Sequence, residues 1–446
     1  MRTRYFVVAL GLVAASLGAQ TPSQTITFDD AIKIALRQNT TLAQANNSAA
    51  LSSATVKQQR LSFLPDVRLS TTTGQNYGRT FSEEEGRIID QTTQSVNAGV
   101  SSSVTLFNGL TNIANLRSAQ LSEDAGERNV KRAEQTVAFT VASNFLTLVT
   151  QQEQLRVQRE NLAAQEAQEK QIKAFVDAGS RPISDLYQQQ AAVAAARSQL
   201  VSTERALELA KVDLIQTLQL DPRGTYEFAP PTLDTTANAK NTTFNLDSLL
   251  TRAIGQRSDL FAQQSLVSAA SQSVKAAKGS RFPTLSLSAG YNSAYNSATD
   301  IAFSEQLNQR RGGSVSLGFS IPVFDRGSTD LATQRAEIAE DNARLDLKNR
   351  QQQIGLEVRR AYLDYRAATQ QLDAAEAQLR AAALALQTSQ QRYTVGAATL
   401  LEVTQARAAQ LQAASALVTA RYGLLFQKTL IGYYVGDLNP RAVTIG

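Results

Sequence analysis

The chain repeats itself, and that duplication limits the folds open to it more than any other feature. FDDAIKIALRQNTTL from Phe28 and LDSLLTRAIGQRSDL from Leu246 run in register. Asp29 matches Asp247, Ala35 matches Ala253, Leu42 matches Leu260, and Pro65 matches Pro283, each pair 218 residues apart. Further on the spacing slips by one. VTLFNG around Phe107 matches IPVFDRG around Phe324, and Gly179 matches Gly396 at 217. A register held over so long a stretch marks one unit copied in tandem. The units are residues 20–220 and 246–446. Between them, 221–245 carries DPRG, PP and TTANAKNTT, the proline, glycine and polar content of a linker.

Each unit reads as helix, two strands, helix, helix. Residues 28–62 are rich in Ala, Gln and Leu without Pro or Gly, and predict a helix ended by Pro65. Its counterpart is 246–280. Period-two alternation then predicts strands at 66–77, 94–107, 284–296 and 313–324. Val67, Leu69, Thr71, Thr73 and Tyr77 share one face. So do Val96, Ala98, Val100, Val104 and Leu106; Leu285, Leu287, Ala289, Tyr291 and Tyr295; and Val315, Leu317, Phe319, Ile321 and Val323. The opposite faces are small and polar. Helices at 110–173 and 183–219, and at 328–391 and 400–436, form two hairpins around turns at Gly179–Pro182 and Gly396. The longer arms reach roughly 95 Å at 1.5 Å per residue.

Strands of about 10 residues with one apolar and one small-polar face fit a membrane β-barrel. A soluble sheet with one buried face is the alternative, but nothing nearby in the sequence would cover that face. Four strands cannot close a barrel, since the smallest need about 8, and an open edge cannot face lipid. Several copies must therefore share one barrel; two, three or four all satisfy the physics. The loops 78–93 and 297–312 are polar and include Glu83, Glu84, Glu85, Arg310 and Arg311, as expected of loops facing the exterior. No helix is apolar enough to span a bilayer, which takes about 20 residues. At the start, Arg2 and Arg4 precede an apolar run from Phe6 to Leu17 and then small residues. That layout predicts a signal peptide over 1–19.

The chain has neither Cys nor His. Disulfides, thiol nucleophiles, the usual triads and most zinc sites are thereby excluded. No phosphate-binding loop or dinucleotide fingerprint occurs. The net charge of +5 is dispersed, which gives no sign of a nucleic-acid partner. No enzyme activity, cofactor or metal is expected. A periplasmic adaptor or coiled-coil scaffold would share the hairpins, but it has no use for four amphipathic strands.

YTVGAATLLEVTQARAAQLQAASALVTARYGLLFQKTLIGYYVG, from Tyr393 to Gly436, resembles the TolC-type outer-membrane efflux proteins. Tyr393, Gly396, Thr399, Glu402, Val403, Arg421, Tyr422 and Gly436 fit that family's second hairpin. FNG at Phe107 and IPVFDRG at Ile321 resemble its strand-to-helix corners. The resemblance implies an α+β membrane protein: a homotrimer sharing a 12-stranded β-barrel in outer-membrane lipid, above a long α-helical barrel in the periplasm. It implies a periplasmic adaptor and an inner-membrane transporter as partners, for efflux or type I secretion. Residues 221–245 and the N-terminal segment would build a belt around the tunnel.

It also implies roles at the tunnel entrance. Glu402 matches an acid that faces the pore, while Gln405 stands where a second acid is often found. Tyr393 and Asp185 match two members of a polar network that closes the tips. The basic member is replaced by Ala398, and Arg181 on the other tip is the expected substitute. Gly179, Gly396 and Thr399 lie at the tips, where an adaptor would dock. For Glu402 and Asp185 the plain alternative is a solvated first-turn acid favoured by the helix dipole.

Overall fold

The computed structural model describes residues 24–82, 85–90, 92–229 and 242–440. The expected signal peptide, Glu83, Glu84 and residues 230–241 of the linker lie outside them.

A short strand β1 (Gln24–Ile26) pairs in parallel with β6 (Tyr226–Phe228), so the first described residues are held by the segment that joins the two units. Helix α1 (Phe28–Gln38) begins at Thr27, whose hydroxyl accepts from the Asp30 amide. It stops at Asn39, which is extended and caps α2 (Thr40–Leu61) by accepting from the Thr41 and Leu42 amides. The second unit breaks likewise, into α5 (Leu246–Gln256) and α6 (Ser258–Gly279), at Arg257. The single helices expected over 28–62 and 246–280 are thus each two. Asparagine satisfies the orphan amides of a new helix start better than it serves a helix interior. Arg257 leaves the helix to enter a buried ion network.

Strands β2 (Asp66–Asn76), β5 (Thr93–Asn108), β7 (Thr284–Asn296) and β8 (Gly312–Ser320) form one antiparallel sheet in the order β2-β5-β7-β8. Residues opposite one another share a face, and the register sorts them by polarity. Leu69, Val100 and Tyr291 make one row, and Val104, Leu287 and Leu317 another. The other face has Ser70, Gly99 and Asn292, then Thr105, Ser286 and Gly318. Nothing among the described residues covers the apolar face: Leu69 is 79% exposed and Phe319 66%.

Two details differ from the period-two reading. Leu106 falls in a bulge, so Phe107, not Leu106, sits opposite Leu285 on the apolar face. Strand β8 ends at Ser320, short of the expected 324, because Pro322 has no amide for the ladder. The loops are also more ordered than a plain polar loop. One carries the hairpin β3 (Arg79–Ser82) and β4 (Arg87–Asp90). The other carries α7 (Phe303–Gln309), where fully buried Gln306 bonds the Asn296 amide at 3.0 Å and the Ile301 carbonyl at 2.8 Å.

Below the sheet, α3 (Thr111–Asp177) and α4 (Ile183–Leu218) form one hairpin, and α8 (Ser328–Thr394) and α9 (Leu400–Val435) the other. Each long arm has 67 residues, roughly 100 Å. Large side chains gather where the arms pass α1, α5 and the β1–β6 pair: Phe28, Phe145, Leu148, Leu214, Leu260, Ile354 and Leu424 are all buried. Beside this core lies the ion network. Arg257 is 1% exposed and donates to Asp259 at 2.7 Å and to Glu357 at 2.5 Å. Arg350 also binds Asp259 at 2.5 Å. These arginine partners hold the Asp259 carboxyl well below the usual carboxylate range despite its burial.

Candidate functional site

The two hairpin tips meet at the end of the molecule farthest from the sheet. They turn in the same way. Gly179 (φ 70°) and Gly396 (φ 80°) adopt the left-handed conformation that a side chain disfavours. The Ser180 amide returns to the Phe175 carbonyl at 2.9 Å, and the Ala397 amide to Arg392 at 2.8 Å. Both are Schellman caps, 217 residues apart in sequence. Pro182 and Thr399 then start the return helices.

An apolar cluster joins the tips: Ile172 and Leu186 from the first hairpin, Tyr393, Ala398, Leu400 and Val403 from the second. Ala398, at the position the resemblance reserves for a basic residue, is one of its buried members. Tyr393 is 4% exposed, and its hydroxyl donates to Asp185 Oδ2 at 3.1 Å. Burial, with the Asp185 carboxylate alongside, pushes the Tyr393 hydroxyl up to about 12. Arg181 stacks its guanidinium 4.3 Å from the centre of the Tyr393 ring and donates to the Tyr393 backbone carbonyl. A cation over an aromatic face is worth about 0.5–2 kcal/mol, and a cation at the last carbonyls of α8 is favoured by the negative end of the helix dipole. Tyr393, Asp185 and Arg181 therefore form one contact between the hairpins.

Glu402 belongs to a second group. Thr399 and Glu402 make a capping box: the Glu402 amide donates to Thr399 Oγ1 at 3.3 Å, and the Thr399 amide to Glu402 Oε1 at 3.2 Å. The other carboxylate oxygen accepts from Arg392 at 3.3 Å, and Arg392 also reaches the Ala397 carbonyl at 2.9 Å. Glu402 stays about two-fifths exposed, and Gln405 is exposed nearly one turn further on. Gly179 and Gly396 are exposed at the turns themselves.

Two arginines escaped the sequence reading. Arg392 is a basic residue in the last turn of α8, a favoured position that hides its tie to Glu402 across the turn. Arg407 follows Leu400 and Val403 on the inward face of α9, where the apolar spacing calls for leucine. It is 7% exposed and donates to Gln168 Oε1 at 2.8 Å, while its Nε has no partner among the described residues. Burial alone lowers its pKa. Among the described residues no group of His, Cys, Asp or Glu is placed to hold a metal, and no helix is long and apolar enough to cross a membrane.

The sequence model of the outer membrane efflux protein family matches residues 31–218 and 249–428, one match in each repeat. The outer membrane protein TolC of Vibrio cholerae serotype O1 is 25% identical over 403 residues, covering 87% of this chain and 85% of its own. The outer membrane efflux protein BepC of Brucella suis biovar 1 is 23% identical over 334 residues, covering 73% and 70%. Among solved structures, the outer membrane protein VceC of Vibrio cholerae superposes with a TM-score of 0.79 at 17% identity, covering 92% of this chain and 96% of its own.

Proposed function

Since this chain belongs to the outer membrane efflux protein family, we propose that three copies of it share one 12-stranded barrel and form a single exit duct. The chain is the outer-membrane channel component of an efflux system, with its helical hairpins forming a tunnel in the periplasm. The sheet carries the shared-barrel reading, and the family resemblance supplies the number three. Among the described residues its β2 and β8 edges are unpaired and its apolar face is uncovered, while its other face is small and polar. An open edge is untenable in lipid, so β2 of one copy pairs with β8 of the next until the ring closes. The uncovered apolar face also favours this reading over a periplasmic adaptor or scaffold.

The duct offers passage and performs no chemistry. A periplasmic adaptor docks at the tips around Gly179, Gly396 and Thr399, and an inner-membrane transporter drives export. Pyoverdine is named as the cargo of the OpmQ relatives from Pseudomonas putida and Pseudomonas aeruginosa, 25% and 26% identical. For this chain the transporter chooses the cargo.

The tips close the entrance. Tyr393, Asp185 and Arg181 hold the two hairpins of one protomer together, with Arg181 doing from the first tip what a basic residue at 398 would do from the second. Glu402 from three copies rings the axis, with Gln405 as a neutral ring behind it. Arg392 offsets part of the Glu402 charge, so the ring attracts cations only moderately. Purified protein in planar bilayers tests this: Tyr393→Phe combined with Arg181→Ser should raise single-channel conductance several-fold over wild type. Equal conductance in the two would remove the tips from the gate.

A further inference from the structure

A cleft lies at the opposite end of the helices from the tips, under the sheet. Its volume is about 310 Å3, and it sits where β5 runs into α3 and α6 runs into β7. Leu110, Ile113 and Phe282 form its floor, and they are 58%, 40% and 55% exposed. Arg117, Lys275 and Lys278 stand around it. Lys278 is paired with Glu337 at 2.9 Å, but neither Arg117 nor Lys275 makes an ion pair among the described residues.

The cleft is preformed. Gly109 adopts a left-handed φ of 65°, and a Cβ there would collide with the Gly279 carbonyl. A Cβ on Gly279 would in turn strike Thr111 Oγ1, which donates to the Ala276 carbonyl at 3.1 Å. The two corners thus meet backbone to backbone, and only glycine permits the approach.

Its position matters as much as its lining. Strands β5 and β7 are the inner pair of the sheet. Neighbouring copies that join at β2 and β8 leave the space beneath the inner pair uncovered. The floor continues the apolar face, where Phe107 sits opposite Leu285. Arg117 lies six residues along α3 from Thr111, roughly 9 Å beyond the strand ends. The headgroup zone on each side of a bilayer is about 5–8 Å deep, so the Arg117 backbone stands just beyond it and its long side chain can reach back to phosphate level.

We propose that this cleft binds an anionic phospholipid of the periplasmic leaflet. Its phosphodiester sits between Arg117 and Lys275, with Lys278 alongside. The start of an acyl chain lies on Leu110, Ile113 and Phe282. Basic pockets of this kind at a membrane surface select anionic headgroups. The proposal rests on the barrel reading of the sheet, which sets the depth of the cleft.

Native mass spectrometry of the detergent-extracted trimer with equimolar dioleoylphosphatidylglycerol and dioleoylphosphatidylethanolamine tests it. Retention should favour phosphatidylglycerol by about tenfold, since two cations face one phosphate. The Arg117→Gln/Lys275→Gln variant, confirmed as a heat-modifiable trimer, should retain both lipids equally. Excess glycerol 3-phosphate should leave the bound lipid in place, because it lacks the acyl chain that fills the floor. Equal retention by wild type, an undiminished preference in the variant, or displacement by glycerol 3-phosphate would each overturn the proposal. Failure of the barrel reading would look different, as no heat-modifiable oligomer would form.

Discussion

The Tyr393 hydroxyl donates a 3.1 Å hydrogen bond to Asp185, which lies 208 positions away on the other hairpin tip. The bond joins the tips of the two duplicated units, from the end of the outgoing helix of one to the first turn of the return helix of the other. In the proposed duct this contact must be made or broken when the entrance moves.

Removing it should loosen the tips without unfolding them. Tyr393→Phe keeps the buried ring and loses the hydroxyl, at a cost of about 0.5–1.5 kcal/mol. A double-mutant cycle with Asp185→Asn, read as open probability in bilayers, should show the two changes to be strongly non-additive. Independent effects would mean the bond does not hold the tips.

The same contact should ignore pH across the neutral range. Burial and the neighbouring Asp185 carboxylate push its tyrosine hydroxyl up to about 12 in the fold. A raised folded-state pKa favours the neutral hydroxyl. Its contribution is complete below about pH 10 and is lost as pH rises through about 12. Ultraviolet titration of wild type against Tyr393→Phe should show one late-titrating tyrosine missing from the variant.

Arg181 should resist conservative replacement. Lysine keeps the charge but loses the planar stack on Tyr393 and the fork that reaches its carbonyl. Arg181→Lys should therefore raise open probability nearly as much as Arg181→Ser. Wild-type gating in the lysine variant would reduce Arg181 to a point charge.

Glu402 has two roles that substitution can separate. Glutamine preserves the capping box, while alanine removes it at about 1 kcal/mol. Both should lower cation selectivity, but only Glu402→Ala should lower thermal stability. Arg392→Gln should raise cation selectivity by freeing the carboxylate. Selectivity unchanged in all three would leave Glu402 a helix cap and nothing more.

The buried network should be the costliest site to disturb. Asp259→Asn leaves buried Arg257 with Glu357 alone of its two carboxylate partners, a loss of about 3–5 kcal/mol. In wild type the carboxylate's folded pKa is depressed, so its stabilisation is present above about pH 4 and fades only in stronger acid. Thermal unfolding at pH 7 and pH 5 should show the same large deficit in the variant. A deficit confined to one pH would contradict the network's ionisation.

Much of this architecture was legible because it depends on short-range periodicity. Alternation placed Leu69, Val100 and Leu317 on one face, and the register of the sheet makes that face continuous. The tip residues Tyr393 and Asp185 were legible through their resemblance to known tips, and Arg181 through the gap at Ala398. What escaped depends on tertiary contacts. Nothing local in Arg257 announces a helix break, since its partners Asp259 and Glu357 are gathered only by folding. The bulge at Leu106 reflects pairing with β7, far along the chain. The Arg392–Glu402 pair and the buried Arg407 need the hairpin turn to bring helices together. The Asn39 break was readable in principle, since Asn-Thr-Thr is a good helix start, but the helical pattern on both sides concealed it.

The shared barrel is open to a direct measurement, because the chain has no cysteine of its own. Strands β2 and β8 lie at opposite edges of one sheet, so cysteines placed one on each cannot pair within a protomer. A panel of such double variants around Leu69 and Leu317, oxidised in outer membranes and run on denaturing gels, should give dimers and trimers. The ladder should end at the trimer for the pairs in register. A ladder that stops at the dimer, runs past the trimer, or never forms for any pair would contradict three copies closing one barrel.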